Sequence, residues 1–124
     1  EGVCRFVLKE RNLSPKGYYQ GSVNCGDYFD DLNDMEPNLD RNSLIQKYSN
    51  FFKIKKLDID KEVLAETSNL QLLSTLAMLA PFNKIDKQAI LESANVMERI
   101  NTLNSILDLN TFQVVSNGKP NQLN

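Results

Sequence analysis

The sequence predicts an α+β fold, mainly α, in which a β-hairpin precedes a bundle of four to five helices. Early in the chain, apolar residues alternate with polar ones, which is typical of strands. After an acidic stretch at 27–40 the hydrophobic period changes to that of a helix. A chain of 124 residues has room for one modest core. We therefore expect a hairpin at 1–30, a helical bundle at 31–110 and a flexible tail at 111–124.

The hairpin is predicted from two segments, 2–10 and 18–25, in which β-branched and aromatic residues alternate with polar ones. The residues between them include Pro15 and Gly17, which are typical of a turn. We expect one face of this hairpin to rest on the helices. Its edges are predicted to be unpaired and to recruit other strands.

The two cysteines belong to these strands. Antiparallel pairing of the apolar faces places Cys4 near Val23 or Cys25. A disulfide between Cys4 and Cys25 is one interpretation. Two small, buried thiols kept reduced in the cytosol are the preferred one.

The first helix is predicted at 41–53, with Asp40 as its N-cap. A shorter helix near 60–66 follows either Asp58 or Asp60. The apolar stripe of the first helix consists of Leu44, Ile45, Tyr48, Phe51 and Phe52.

The third helix begins with a capping box, in which Ser68 and Gln71 satisfy each other's backbone donors. It is rich in leucine and ends before Pro81, where a helix cannot continue.

Two further helices are predicted from their N-caps. Asp86 precedes a short helix at 87–92, and Asn95 with Glu98 repeats the capping box before the last helix. We expect these helices to share one core, so that Leu91→Ala costs about 2–5 kcal/mol. The predicted core residues are Leu76, Leu79, Ile90, Leu91 and Ile100.

The composition argues against an enzyme. The chain has no histidine, which removes Ser-His and Cys-His pairs and every zinc site that contains histidine. Two cysteines cannot form a four-thiolate zinc site. The sequence therefore predicts no catalytic residues, cofactor or metal.

The charge and hydropathy of the chain indicate which classes of partner it is expected to bind. The chain has 14 basic and 16 acidic residues, a net charge of −2, which does not favour nucleic acid. No stretch approaches the roughly 20 consecutive apolar residues of a membrane span, and the N-terminus lacks a signal-peptide pattern. We expect a soluble, cytoplasmic protein.

Two clusters invite functional interpretations. Asp30, Asp31, Asp34 and Glu36 could suggest calcium, but they lack the spacing and glycine of an EF-hand loop, so a solvated linker is preferred. An apolar groove for unfolded segments could be lined by Met78, Leu79 and Phe82. A core helix would show the same pattern and is the preferred interpretation.

The most specific motif lies at 76–100. Residues 76–82 read Leu-Ala-Met-Leu-Ala-Pro-Phe, followed by Lys-Gln-Ala-Ile-Leu-Glu at 87–92 and Glu-Arg-Ile at 98–100. This order resembles the end of the N-terminal, substrate-binding domain of Lon-type proteases. The opening Gly-Val-Cys-Arg-Phe at 2–6 resembles the Gly-x-x-Arg-Phe of a late strand of that domain.

The resemblance implies a PUA-like β-barrel followed by a small helical bundle, of which this chain would hold the C-terminal portion. It also implies a non-catalytic protein-recognition module that binds unfolded or damaged polypeptide segments. A stand-alone homologue is preferred to a full protease because the chain ends in a polar tail. The family's substrate surface lies largely upstream of Glu1, so no residue of that surface is carried over.

The expected partners are unfolded polypeptide segments or protease machinery, not nucleic acid or a membrane. The alternative function is a PUA-like nucleic-acid-binding module. We further expect these residues to be a fragment of a longer chain, with more strands encoded upstream, and to self-associate through the hairpin strands.

Overall fold

The computed structural model describes residues 2–33 and 35–117 and confirms the α+β, mainly helical fold. Helix α5 continues through Asn117, so residues 111–117 of the predicted tail are helical, and 118–124 lie outside the described residues. In chain order the elements are β1 (Val7–Leu13), β2 (Tyr19–Asn24), a 3-10 helix (Gly26–Leu32), α1 (Arg41–Ile54), α2 (Lys61–Ala65), α3 (Asn69–Leu79), α4 (Lys84–Glu92) and α5 (Val96–Asn117).

The hairpin is antiparallel, and Leu8 lies opposite Val23. Its turn places Gly17 at a φ of 83°, a left-handed conformation that glycine adopts without a steric penalty. Apart from the half-buried Val7, all residues of both strands are exposed, so the expectation that one face rests on the helices is wrong. Self-association through the strands stays a prediction.

The predicted starts of the first three helices are confirmed by their caps. Asp40 accepts a hydrogen bond from the amide of Ser43 at 3.0 Å. Asp60, not Asp58, caps α2. In α3, Ser68 and Gln71 form the reciprocal bonds of a capping box. These contacts join residues no more than three positions apart, so they can be predicted from the sequence.

The cap of α4 differs from the prediction. Asn83 caps this helix, accepting from the amide of Asp86 at 2.8 Å, and Asp86 lies in the first turn. Asparagine and aspartate are almost equivalent caps, so residue type alone does not decide between Asn83 and Asp86. At the start of α5, Asn95 accepts from the amide of Glu98 at 2.9 Å, as predicted. The reciprocal bond of the predicted capping box differs, because the Glu98 carboxylate accepts from the Ala94 amide at 2.7 Å and not from that of Asn95.

The core is shared by all five α-helices. Rings pack at its centre, where Phe51 stacks on Phe82 with 5.6 Å between centroids. Leu79 and Leu91, which we expected in the core, are both 55% exposed. Successive helical residues point about 100° apart, and the orientation of α4 turns Ile90 toward the core and Leu91 away from it. The buried aliphatic residues include Leu44, Leu64, Leu72, Leu73, Leu76, Ile90, Ile100, Leu103, Ile106 and Leu107.

The Tyr48 hydroxyl is a polar group buried in this core. It has no hydrogen-bond partner among the described residues, and burial raises its pKa well above the usual value. A buried hydroxyl without a partner costs about 1–3 kcal/mol of desolvation. We therefore expect Tyr48→Phe to raise the free energy of unfolding by about 1 kcal/mol, measured by urea denaturation.

The exposed Tyr19 provides the control for this prediction, because Tyr19→Phe removes a hydroxyl from the surface. Its effect should stay within about 0.5 kcal/mol. A loss of stability in Tyr48→Phe would contradict the assignment, since it would mean that the hydroxyl makes a favourable bond in the core.

Candidate functional site

An open groove of about 770 Å³ lies where residues 2–5 approach the 3-10 helix, α3, α4 and the start of α5. Met78, Val3 and Leu91 form its most exposed apolar surface, with 76%, 73% and 55% of each residue accessible. The groove is thus a concave apolar surface at the junction of the N-terminal segment and the bundle. Its aliphatic and methionine lining consists of Val3, Leu70, Ala77, Met78, Ile90, Leu91 and Val96.

Arg5 connects three of the segments that line the groove. Arg5 donates from its backbone N and Nε to Asp31 Oδ2, at 3.0 and 2.8 Å, and from Nη2 to Asp31 Oδ1 at 2.7 Å. Its Nη1 donates to the carbonyls of Leu91 and Ser93 at the end of α4. The guanidinium also lies 4.4 Å from the ring centroid of Tyr28. One side chain thereby joins the N-terminal segment, the 3-10 helix and α4.

Two arginines share one carboxylate at this site. The hydrogen bonds from Arg5 hold the pKa of Asp31 below its usual range, although burial opposes the shift. Arg99 Nη2 lies 3.7 Å from Asp31 Oδ1, which is too far for a hydrogen bond. Burial, together with the charge of Arg5, lowers the pKa of Arg99 from its ordinary value. The cluster therefore carries one more positive than negative charge.

The two cysteines are free thiols, and Cys4 directly precedes Arg5 of this cluster. Cys4 precedes β1, and its thiol donates to the carbonyl of Tyr28 at 3.3 Å. Desolvation and the neighbouring Cys25 raise the pKa of the Cys4 thiol. The two residues are therefore close, as predicted. A raised pKa keeps Cys4 in its weakly nucleophilic thiol form.

The structure separates the three residues predicted for peptide binding. Met78 lines the groove, so our preference for placing it in the core is wrong. Leu79 is exposed but lies outside the groove lining. Phe82 is 7% exposed and belongs to the core, where it contacts Phe51, so its ring is not on the surface. Binding by Met78 stays a prediction.

The acidic stretch at 27–40, which we expected to be a solvated linker, forms hydrogen bonds with other segments of the chain. It begins within the 3-10 helix, where Asp31 accepts hydrogen bonds from Arg5, and Glu36 accepts from the amide of Asn69 at 2.8 Å.

Within 2–33 and 35–117 no three His, Cys, Asp or Glu side chains are grouped to hold a metal ion. Over the same residues no helix has the length and apolarity needed to cross a membrane.

Sequence reasoning missed the Arg5–Asp31–Arg99 cluster. The sequence signal was present, because Arg5 belongs to the Gly-x-x-Arg-Phe stretch and Arg99 to the Glu-Arg-Ile stretch of the family resemblance. The residues of this cluster are far apart in sequence, since Asp31 follows Arg5 by 26 positions. No helical or strand periodicity links residues at such a distance.

An exposed apolar groove on a small α+β fold is a candidate binding site for another molecule. The sequence profile of the ATP-dependent protease La (LON) substrate-binding domain matches residues 1–108. The chain therefore belongs to this family of substrate-recognition domains, in which protease activity lies in a separate domain. Neither the curated proteins nor the solved structures include a match.

Proposed function

We propose that this domain binds unfolded or damaged polypeptide segments in the groove and presents them to protease machinery in the cytoplasm, without catalysing a reaction itself. The observation that carries the proposal is the apolar wall formed by Met78 and Leu91, both well exposed in a concave site. Unfolded segments expose the apolar side chains that a folded protein buries. Such side chains gain free energy when a partner removes them from water.

The shape and composition of the groove suit an adaptable partner. Its volume of about 770 Å³ falls within the range of ordinary ligand sites. Methionine is unbranched and polarizable, so Met78 can pack against side chains of different shapes. Family membership supports a substrate-recognition role in general, and the apolar wall supports apolar segments as the ligand.

A PUA-like nucleic-acid-binding function is the alternative. Binding of single strands combines a positively charged groove with aromatic side chains on which bases stack. None of the described residues that line this groove is aromatic, and Asp30 and Asp31 lie beside its cations. These features favour protein over nucleic acid as the partner.

Binding can be tested with two matched double variants. Met78→Gln/Leu91→Gln removes the apolar wall, whereas Val63→Gln/Ile85→Gln makes equivalent changes at residues that are 61% and 80% exposed but do not line the groove. The ligand is a fluorescently labelled protein whose cysteines have been reduced and alkylated so that it cannot refold. Fluorescence anisotropy measures its dissociation constant for each variant.

We expect the groove variant to bind at least tenfold more weakly than the unmodified chain, because losing two apolar contacts costs more than about 1.4 kcal/mol. The control variant should bind within about twofold. Equal losses in both variants would contradict binding in the groove. Tight, salt-sensitive binding of single-stranded RNA, without binding of the unfolded protein, would instead support the alternative function.

A further inference from the structure

Arg99 lines the groove as a cation without a hydrogen-bonded anion. Its side chain is 18% exposed. Both oxygens of Asp31 already accept hydrogen bonds from Arg5, and Arg99 remains 3.7 Å away. Within 2–33 and 35–117 the Arg99 guanidinium donates no hydrogen bond to another residue. Its donors are therefore available on the wall of the groove.

The position of Arg99 is electrostatically unfavourable without a further negative charge. Burial removes part of its hydration, and the positive charge of Arg5 repels it, and both effects lower its pKa. A partly desolvated charge is stabilised when a partner of opposite sign supplies hydrogen bonds. The planar guanidinium matches a carboxylate with two parallel bonds.

We infer that the groove selects apolar polypeptide segments that contain an acidic side chain, whose carboxylate binds Arg99 while its neighbours contact Met78 and Leu91. This inference rests on the proposed function and adds a charge preference to it. Asp30 and Asp31 also line the groove and would repel a carboxylate. Arg5 neutralises Asp31 through its hydrogen bonds, so the preference applies to the part of the groove next to Arg99.

An acidic side chain fits better than the carboxylate at a chain end. Chain ends are usually captured by several free backbone N–H groups arranged around the carboxylate. At Arg99 itself and at the residue before it these donors are occupied, since the Glu98 amide donates to the Asn95 side chain and the Arg99 amide to the Asn95 carbonyl. At this position the guanidinium therefore provides the donors, and an internal Glu or Asp can reach it.

Three peptides distinguish these sources of a carboxylate. The first has a glutamate at the centre of an apolar segment, with an acetylated N-terminus and an amidated C-terminus. The second replaces that glutamate with glutamine. The third has the glutamine sequence with a free C-terminal carboxylate. We expect the complete chain to bind the glutamate peptide about tenfold more tightly than either of the others, measured by fluorescence anisotropy.

Variants of Arg99 and Lys87, two of the three cationic residues that line the groove, identify the residue responsible. Arg99→Gln should bind the glutamate and glutamine peptides equally, and Arg99→Lys, which keeps the charge but loses the paired donors, should show an intermediate preference. Lys87→Gln is the matched control, because Lys87 also lines the groove but donates to the Met78 carbonyl at 3.0 Å. It should keep the preference within about threefold. Circular dichroism establishes that each variant is folded.

The outcomes separate this inference from the proposed function. Equal binding of the glutamate and glutamine peptides by the unmodified chain would overturn the charge preference while leaving apolar recognition intact. Preference for the free C-terminus, or loss of the preference in Lys87→Gln but not in Arg99→Gln and Arg99→Lys, would also overturn it. If none of the peptides binds, and the unfolded protein does not bind either, the proposed function itself fails.

Discussion

Replacing Ile90 with alanine is expected to lower the free energy of unfolding by about 2–5 kcal/mol. Ile90 is 4% exposed and lies in the core on the inner side of α4. Truncation removes buried methyl and methylene groups and leaves a cavity, because the surrounding helices relax only in part. Urea denaturation at neutral pH measures the change in the midpoint and in the free energy of unfolding.

Leu91→Ala is the matched control, one position further along the same helix. Leu91 is 55% exposed, so its truncation should cost no more than about 0.5 kcal/mol. The sequence pattern predicted the opposite, with a large cost at Leu91. A greater loss of stability for Leu91→Ala than for Ile90→Ala would contradict the observed orientation of α4.

Asp31→Asn is expected to lower the free energy of unfolding by about 2–4 kcal/mol at neutral pH. The carboxylate accepts three hydrogen bonds from Arg5, and its side chain is 17% exposed. An asparagine amide carries no charge, so Arg5 and Arg99 would be left without a neutralising partner. Urea denaturation again provides the measurement.

The stability difference between the unmodified chain and Asp31→Asn should depend on pH. Because the pKa of Asp31 is lower in the folded than in the unfolded chain, its stabilisation is present above the unfolded value, about 3.9. It is lost as the pH falls through the folded value, where the carboxylate becomes protonated. The stability difference between the unmodified chain and Asp31→Asn should therefore be constant near neutrality and shrink below about pH 4.

Asp30→Asn is the control, since Asp30 is the adjacent residue, is exposed, and forms no ion pair with another described residue. It should change stability by no more than about 0.5 kcal/mol. A difference between the unmodified chain and Asp31→Asn that stays constant down to pH 2 would contradict the assigned role of the carboxylate.

The sequence by itself determined the fold class and most helix starts. Asp40, Asp60 and the Ser68–Gln71 box cap α1, α2 and α3, and all three were among the predicted caps. A cap acts on backbone groups within one turn, so its signal lies in neighbouring residues. The family resemblance likewise needed only the order of residues, and the matching profile over 1–108 confirms it.

Only the tertiary structure decided which apolar residues are buried and how the groove is built. Helical periodicity assigned both Ile90 and Leu91 to a face toward the core, but the packing of α4 against its neighbours buries the first and exposes the second. The ion pairs of Arg5 and Arg99 with Asp31 join segments that are distant in sequence. Such contacts depend on how complete elements pack, and this packing cannot be predicted from a pattern of neighbouring residues.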